Sequence, residues 1–262
     1  MLNHCNAYGI AALLACSAST GAAQTVAVRH SEGIVHGFLA LRTLEGTTIA
    51  GGDLIQRARG THVTSRLIFR FKDGSVHEET AVFSQRKNFQ LLHYRLVQKG
   101  HTFPRSIDMS VDATSGAATV RYTDKDGEQK TESDTIEAAA TLVNGLTLIL
   151  LKNIQPGTLP GELSYVAATP KPMLVKLAVS SAGEERFTTV GLPRRATHYV
   201  VKVKIGGLKG VVASILDKTP PDTHVWILQG EAPAFVKSEG PMYLGGPIWR
   251  IELVSPVWSR NP

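Results

Sequence analysis

The sequence has little cysteine, and its two cysteines, Cys5 and Cys16, both lie near the N-terminus. A chain cleaved after this region would contain no thiol, which would exclude disulfides, cysteine nucleophiles and thiolate metal sites. No later apolar run reaches the ~18 residues that a membrane-spanning helix needs. Lysine and arginine are too dispersed for a nucleic-acid-binding surface. We therefore expect a mature chain without disulfides, transmembrane segments or nucleic-acid binding.

The N-terminal region also lacks charge, since no Lys, Arg, Asp or Glu precedes Arg29. An apolar stretch, Gly9–Ala18, is followed by the small residues Gly21–Ala23. This pattern is typical of a secretory signal peptide, here residues 1–23, with cleavage before Gln24. Leu13–Cys16 also resembles the lipobox of bacterial lipoproteins, in which Cys16 would be lipidated and would anchor the chain. We favour export into the periplasm or the extracellular space, with the lipid-anchored form as the alternative.

Motifs for catalysis or cofactor binding are absent as well. His77-Glu78-Glu79 begins like a zinc-protease motif, but position 81 is Ala where a second His is required. Gly206–Gly210 lacks both the dinucleotide-binding spacing and the P-loop ending. Histidines of neighbouring strands could converge with Glu78 or Glu79 on a metal, although polar strand faces explain them equally well. We predict no cofactor, no metal and no catalytic residue, and an enzyme is the less favoured alternative.

The composition is that of a globular protein, with 43% hydrophobic and 19% charged residues in a chain of 262. Such a chain is long enough to bury a core without a disulfide or metal. Most of the net charge of +6 lies in the C-terminal half. A mild, dispersed positive charge suits an anionic membrane surface or an acidic partner.

Alternation of apolar and polar residues between short turns dominates the chain from Val26 to about Asp134. It is clearest in Thr61–Phe71, which is followed by the turn Lys72-Asp73-Gly74. The pattern predicts a meander of antiparallel strands. The predicted strands are Thr61–Phe71, Ser75–Gln85, Asn88–Gln98, Ser106–Asp112, Ala117–Tyr122, Glu128–Ile136, Glu162–Ala168, Met173–Ser180, Glu185–Val190, Arg195–Ile205, His224–Gln229 and Ile248–Val254.

Two segments break this alternation and predict helices. Ala138–Lys152 is apolar almost all round and must be covered on most sides, and Leu208–Leu216 resembles a shorter helix. Asn153–Gly161, with two prolines, is a possible seam between lobes of a single β-rich domain, residues 24–262. Gly230–Pro247 is interpreted as an irregular excursion. The predicted fold class is α+β, mainly antiparallel β, with a large curved sheet or open barrel and one or two packed helices.

Four segments resemble a group of uncharacterised exported bacterial proteins. They are Asn144–Ile154, Ala168–Pro172, His224–Leu228 and Gly246–Glu252, with the sequences NGLTLILLKNI, ATPKP, HVWIL and GPIWRIE. The resemblance implies export and no specific activity. In architecture, a strand-rich chain with an apolar helix between two runs of strands also resembles the periplasmic lipoprotein carriers, whose open barrel holds acyl chains. That second resemblance implies an apolar ligand and transfers no ligand residue.

Apolar and aromatic side chains are the candidates for ligand binding, because such side chains line most small-molecule sites. The candidates are Leu146, Ile149, Tyr199, Trp226 and Trp249. Our leading hypothesis is a non-enzymatic envelope protein that binds a lipid, another amphiphile or an envelope partner in a concavity beside helix 138–152. The second hypothesis is an interaction or assembly module without a cavity. The third is a hydrolase with an unrecognised site.

Overall fold

The computed structural model describes residues 26–137, 141–155, 157–204 and 220–256. In these ranges, one antiparallel sheet of 14 strands, which does not close, is accompanied by one helix. The predicted fold class is confirmed. The strands are β1 Val35–Arg42, β2 Thr48–Arg59, β3 His62–Phe71, β4 Val76–Gln85, β5 Phe89–Lys99, β6 Ile107–Asp112, β7 Ala117–Thr123, β8 Gln129–Thr135, β9 Leu163–Ala167, β10 Met173–Thr189, β11 Leu192–Lys204, β12 Thr223–Leu228, β13 Ala234–Pro241 and β14 Ile248–Leu253, and the helix is α1 Thr147–Asn153.

Side-chain alternation explains the strands of the first half. In β3, Val63 and Phe69 are buried on one face, whereas Thr64 and Arg70 are exposed on the other. The predicted turn after β3 is present, and Gly74 occupies its left-handed position with φ 82°.

The sheet consists of two meanders that meet at the first and last strands. Strands β1 to β8 run outward in one direction, and β9 to β14 return from the opposite edge, so that β14 pairs with β1. In this pairing Leu39 lies opposite Leu253. The connection between the two sheet edges contains α1 and the predicted lobe seam, Asn153–Gly161, whose role as a boundary stays a prediction.

Most buried apolar side chains of both meanders point to the same side, which we call the inner face. One core cluster combines Phe83 and Met109 of the first meander, Val166 and Ile227 of the second, and Leu151 of α1. Because strands from both halves of the sheet contribute to one core, the sheet curves around the helical segment. The opposite side is the outer face.

The helix is shorter than the predicted Ala138–Lys152, since α1 begins at Thr147; residues 138–140 lie outside the described ranges. The Asn144 side chain accepts from the Val166 N–H at 2.9 Å and donates to the Val166 carbonyl at 2.9 Å. Gly145 follows with φ 69°, in the left-handed region. The Asn144 side chain therefore pairs with the backbone of β9 through the same groups that a neighbouring strand would use. The helix starts only after Gly145. The second predicted helix, Leu208–Leu216, lies outside the described residues.

Two predictions about the second meander were wrong. The interval Gly230–Pro247 contains β13, and the two strands predicted within 173–190 form the single strand β10. In both cases the register shifts, between Ser181 and Glu184 in β10 and between Trp226 and Ile227 opposite β13. A bulge adds one residue to a strand, so that apolar and polar residues exchange faces beyond it. A search for strict alternation along the sequence therefore misses such a strand.

A buried polar cluster fastens α1 to the N-terminal segment. The Glu32 carboxylate lies 2.5 Å from Lys152 Nζ and accepts from Gln56 Nε2 at 2.7 Å. The Gln85 side chain accepts from the Glu32 N–H at 2.7 Å and donates to the Glu32 carbonyl at 2.9 Å. These four residues, the Glu32 cluster, connect the N-terminal segment with β2, β4 and α1.

Candidate functional site

The five residues predicted to bind a ligand are all buried, but they do not converge on one site. Leu146, Ile149 and Tyr199 belong to the core cluster around α1. Trp249 belongs to a second cluster with the aromatic rings of β3. Trp226 lies on the outer face, because both of its chain neighbours point into the core. The part of the inner face beside α1 is thus filled by protein side chains.

Another part of the inner face is left uncovered by the residues that the structure describes. It is an apolar strip formed by Val35, Gly37, Leu54, Leu67 and Leu253. Gly37 lies opposite Leu54, and Leu54 lies opposite Leu67. A Cβ atom added to Gly37 would lie 3.6 Å from Leu253 Cδ2. The Leu253 side chain therefore lies beside the Gly37 backbone, which carries no side chain. Leu253 and Val35 are 49% and 41% exposed, and Leu54 and Leu67 are half-buried. The strip is therefore an exposed apolar surface.

A polar group ends the apolar strip. Glu79 lies opposite Leu67, and its carboxylate accepts from the Tyr94 hydroxyl at 3.0 Å and contacts His77 Nε2 at 2.8 Å. The side chain of Glu79 remains 26% exposed, whereas that of His77 is only 3% exposed. Burial acts to raise the pKa of Glu79, but the hydrogen bonds from His77 and Tyr94 outweigh it, and the pKa lies below its usual value. The strip thus ends at an ionised carboxylate.

His77 and Tyr94 are both held as donors to this carboxylate. Gln98 Nε2 lies 3.0 Å from His77 Nδ1 and donates to the Met242 carbonyl at 2.8 Å. With Gln98 as the donor, His77 Nδ1 accepts and His77 Nε2 carries the hydrogen directed at Glu79. Burial raises the pKa of Tyr94 well above its usual value, so the hydroxyl keeps its proton. The position of the carboxylate is therefore fixed by its partners.

A second polar cluster lies on the outer face, with Glu185, His198, His224, Trp226 and Lys237 as its members. His198 Nδ1 lies 2.9 Å from the Glu185 carboxylate, and its Nε2 lies 2.8 Å from His224 Nδ1. The His198 ring stacks on Trp226 at 4.2 Å, and Lys237 Nζ lies 3.9 Å from the centre of the same indole. Burial lowers the pKa of His198, and the nearby Glu185 carboxylate does not offset this effect. Within the described ranges no hydroxyl or thiol is hydrogen-bonded to either histidine, so the cluster orients two imidazoles without a nucleophile.

In the part of the chain that the structure describes, no three His, Cys, Asp or Glu side chains group closely enough to hold a metal ion. Two histidines of the first meander contact different carboxylates. His36 contacts Asp53, and His93 contacts Asp112. The same part of the chain has no helix of the length and hydrophobicity required to cross a membrane.

Two surface depressions, of about 300 and 290 Å³, lie away from both α1 and the apolar strip. The first is on the outer face of β4 to β7, beside Thr80 and Arg95. The second lies at one end of the sheet, beside Asp73 and Trp249. Both include polar or charged side chains and neither contains a residue of the strip. Because Leu253 and Val35 are exposed, the strip is an open surface.

Comparison with known proteins assigns no family. No protein-family model matches the chain, and no curated protein matches it. Among solved structures, the chain is similar to a beta-barrel-like protein of domain of unknown function DUF1849 from Brucella abortus, with 8% sequence identity and a TM-score of 0.45. The match covers 87% of this chain and 100% of the other.

Proposed function

We propose that the protein binds a single-chain amphiphile along the apolar strip. The observation that carries the proposal is the exposure of Leu253 and Val35 on the inner face, where other apolar side chains of the sheet form the core. Adjacent exposed apolar side chains on a concave face are typical of binding surfaces. An acyl chain laid over them would remove apolar surface from water, at roughly 25 cal/mol per Å².

Glu79 would select the polar end of the amphiphile. Its carboxylate stands beside Leu67, at the inner end of the strip, and keeps part of its surface accessible. An ionised carboxylate accepts hydrogen bonds from a hydroxyl or an amine and repels a second carboxylate. The favoured ligand is therefore an amphiphile with a hydroxyl or amino head group, such as a monoacylglycerol, and not a free fatty acid.

The first prediction compares two exposed apolar residues on opposite faces. Leu253→Asp should weaken binding of the uncharged fluorophore N-phenyl-1-naphthylamine by about tenfold or more, because a charge in an apolar contact must lose water. Phe38→Asp is the matched control, since Phe38 is 43% exposed on the outer face. It should leave the affinity within about twofold, a change of about 0.4 kcal/mol. Fluorescence titration gives both dissociation constants.

Displacement of the bound fluorophore then tests the head-group preference. A monoacylglycerol should displace it at lower concentration than a fatty acid of equal chain length, and Glu79→Gln should remove the difference. Equal effects of Leu253→Asp and Phe38→Asp, or no fluorophore binding by the wild type, would contradict the proposal and favour an interaction module without a ligand.

Export is part of the same proposal. It is supported by the apolar, uncharged N-terminal region with small residues before Gln24. Periplasmic or extracellular protein is expected to begin at or near Gln24. Mass spectrometry of the protein recovered from cells would detect this terminus, and an intact Met1 would contradict the proposal. A lipidated Cys16 would identify the anchored form instead.

A further inference from the structure

Strands β10 and β11 extend beyond the strands on either side of them. β9 pairs with β10 only over Met173–Leu177, and β12 pairs with β11 only over Ala196–Val201. Residues 186–195, which we call the hairpin arm, therefore pair only with each other, from Arg186 opposite Arg195 to Thr189 opposite Leu192. At ~3.3 Å per residue, the four pairs project roughly 13 Å beyond the neighbouring strands.

The apex of the hairpin arm is apolar although it faces water. Val190 is 98% exposed and Leu192 is 56% exposed. Val190 and Gly191 have φ 49° and 76°, the positive values of a two-residue type I′ turn. A β-branched residue is strained in this conformation, and Asn is the preferred residue before Gly. Both the turn geometry and the solvent thus favour a polar residue where the sequence has valine.

Positive charge surrounds the arm below its apex. The arm contains Arg186, Arg194 and Arg195, and no acidic residue occurs from position 186 to position 198. Arg186 lies directly opposite Arg195, and like charges in that arrangement destabilise a strand pair. Arg195 contacts Glu184 at the base of the arm, whereas Arg186 and Arg194 form no salt bridge with the described residues. The arm combines an apolar apex with a cationic base.

We propose that the hairpin arm docks on an anionic lipid bilayer. Val190 and Leu192 enter the boundary between head groups and acyl chains, while the arginines contact lipid phosphates. The order of apolar and cationic residues along the arm matches the order of acyl chains and phosphates across a bilayer surface. This inference does not depend on the amphiphile site, because the arm and the apolar strip share no residue.

Co-sedimentation with vesicles tests the inference. The wild type should bind vesicles that contain phosphatidylglycerol and should bind vesicles of pure phosphatidylcholine much more weakly. Arg186→Gln with Arg194→Gln should weaken binding by about 25-fold, since each basic residue at an anionic surface contributes about fivefold. Arg57→Gln with Arg59→Gln is the matched control on the exposed end of β2 and should change binding little.

Substitution at the apex separates docking from folding. Val190→Asn creates the preferred Asn-Gly turn, so together with Leu192→Thr it should retain the melting temperature and yet reduce vesicle binding about tenfold or more. No binding of the wild type to anionic vesicles would overturn the inference, as would equal losses in the arm and control variants. Fluorophore binding by the apex variant should be normal, which keeps this result independent of the amphiphile site.

Discussion

Replacement of Glu32 by Ala should lower the free energy of unfolding by about 3–5 kcal/mol. Glu32 is buried, and the substitution leaves the ammonium group of Lys152 without its partner at 2.5 Å and the Gln56 amide without its acceptor at 2.7 Å. An unpaired charge in a low-dielectric site is more costly than the loss of the attraction alone. Equilibrium unfolding in urea measures the difference.

Two further variants distinguish the cost of leaving a buried charge unpaired from the cost of losing any salt bridge. Asp108→Ala removes a carboxylate that receives two hydrogen bonds from Arg95 at an exposed site, and it should cost at most about 1 kcal/mol. Glu32→Gln combined with Lys152→Met removes both charges and keeps an acceptor for Gln56. This double variant should be more stable than Glu32→Ala. A loss below about 1 kcal/mol for Glu32→Ala would show that the Glu32 cluster does not hold α1 in place.

Leu146→Ala and Ile149→Ala should each destabilise the protein by about 2–5 kcal/mol, through lost burial and the cavity left behind. Both side chains lie in the core cluster around α1, with 1% and 4% of their surface exposed. Because that region is filled, neither substitution should alter the stabilisation that a bound amphiphile provides. Melting curves with and without monoacylglycerol measure both effects.

The matched control for these substitutions is Leu44→Ala, because Leu44 is exposed outside the strands. It should change stability by less than about 0.5 kcal/mol. Small losses at Leu146 and Ile149, together with a reduced effect of the amphiphile, would place the ligand beside α1 and contradict its assignment to the apolar strip.

The sequence was most informative where one face of a strand is buried and the other is solvated. In β3, buried Phe69 and exposed Arg70 follow the alternation that predicted the strand. The apolar spacing predicted a helix longer than α1. The Asn144 side chain forms two hydrogen bonds with Val166 in a distant strand, and the helix begins only after this residue. Such a long-range contact has no signature in local apolar spacing.

The candidate surfaces depend on pairing between distant parts of the chain. Leu253 borders Gly37 because β14 returns to pair with β1, and no local pattern reveals that contact. The sequence indicates only part of the outer cluster, since the spacing of His224 and Trp226 places both side chains on one face of a strand. Their contact with His198 follows from the register of β11 and β12, which the sequence does not specify. The same alternation that turns Trp226 outward separates it from the other predicted ligand residues.

Photocrosslinking with a monoacylglycerol that carries a diazirine in its acyl chain tests the location of the ligand most directly. Mass spectrometry of the digested protein should find adducts on Val35, Leu54 and Leu253, and an excess of unlabelled monoacylglycerol should suppress them. Adducts on the outer face at Phe38, adducts within residues 141–154, or labelling that unlabelled monoacylglycerol does not suppress would contradict binding along the apolar strip.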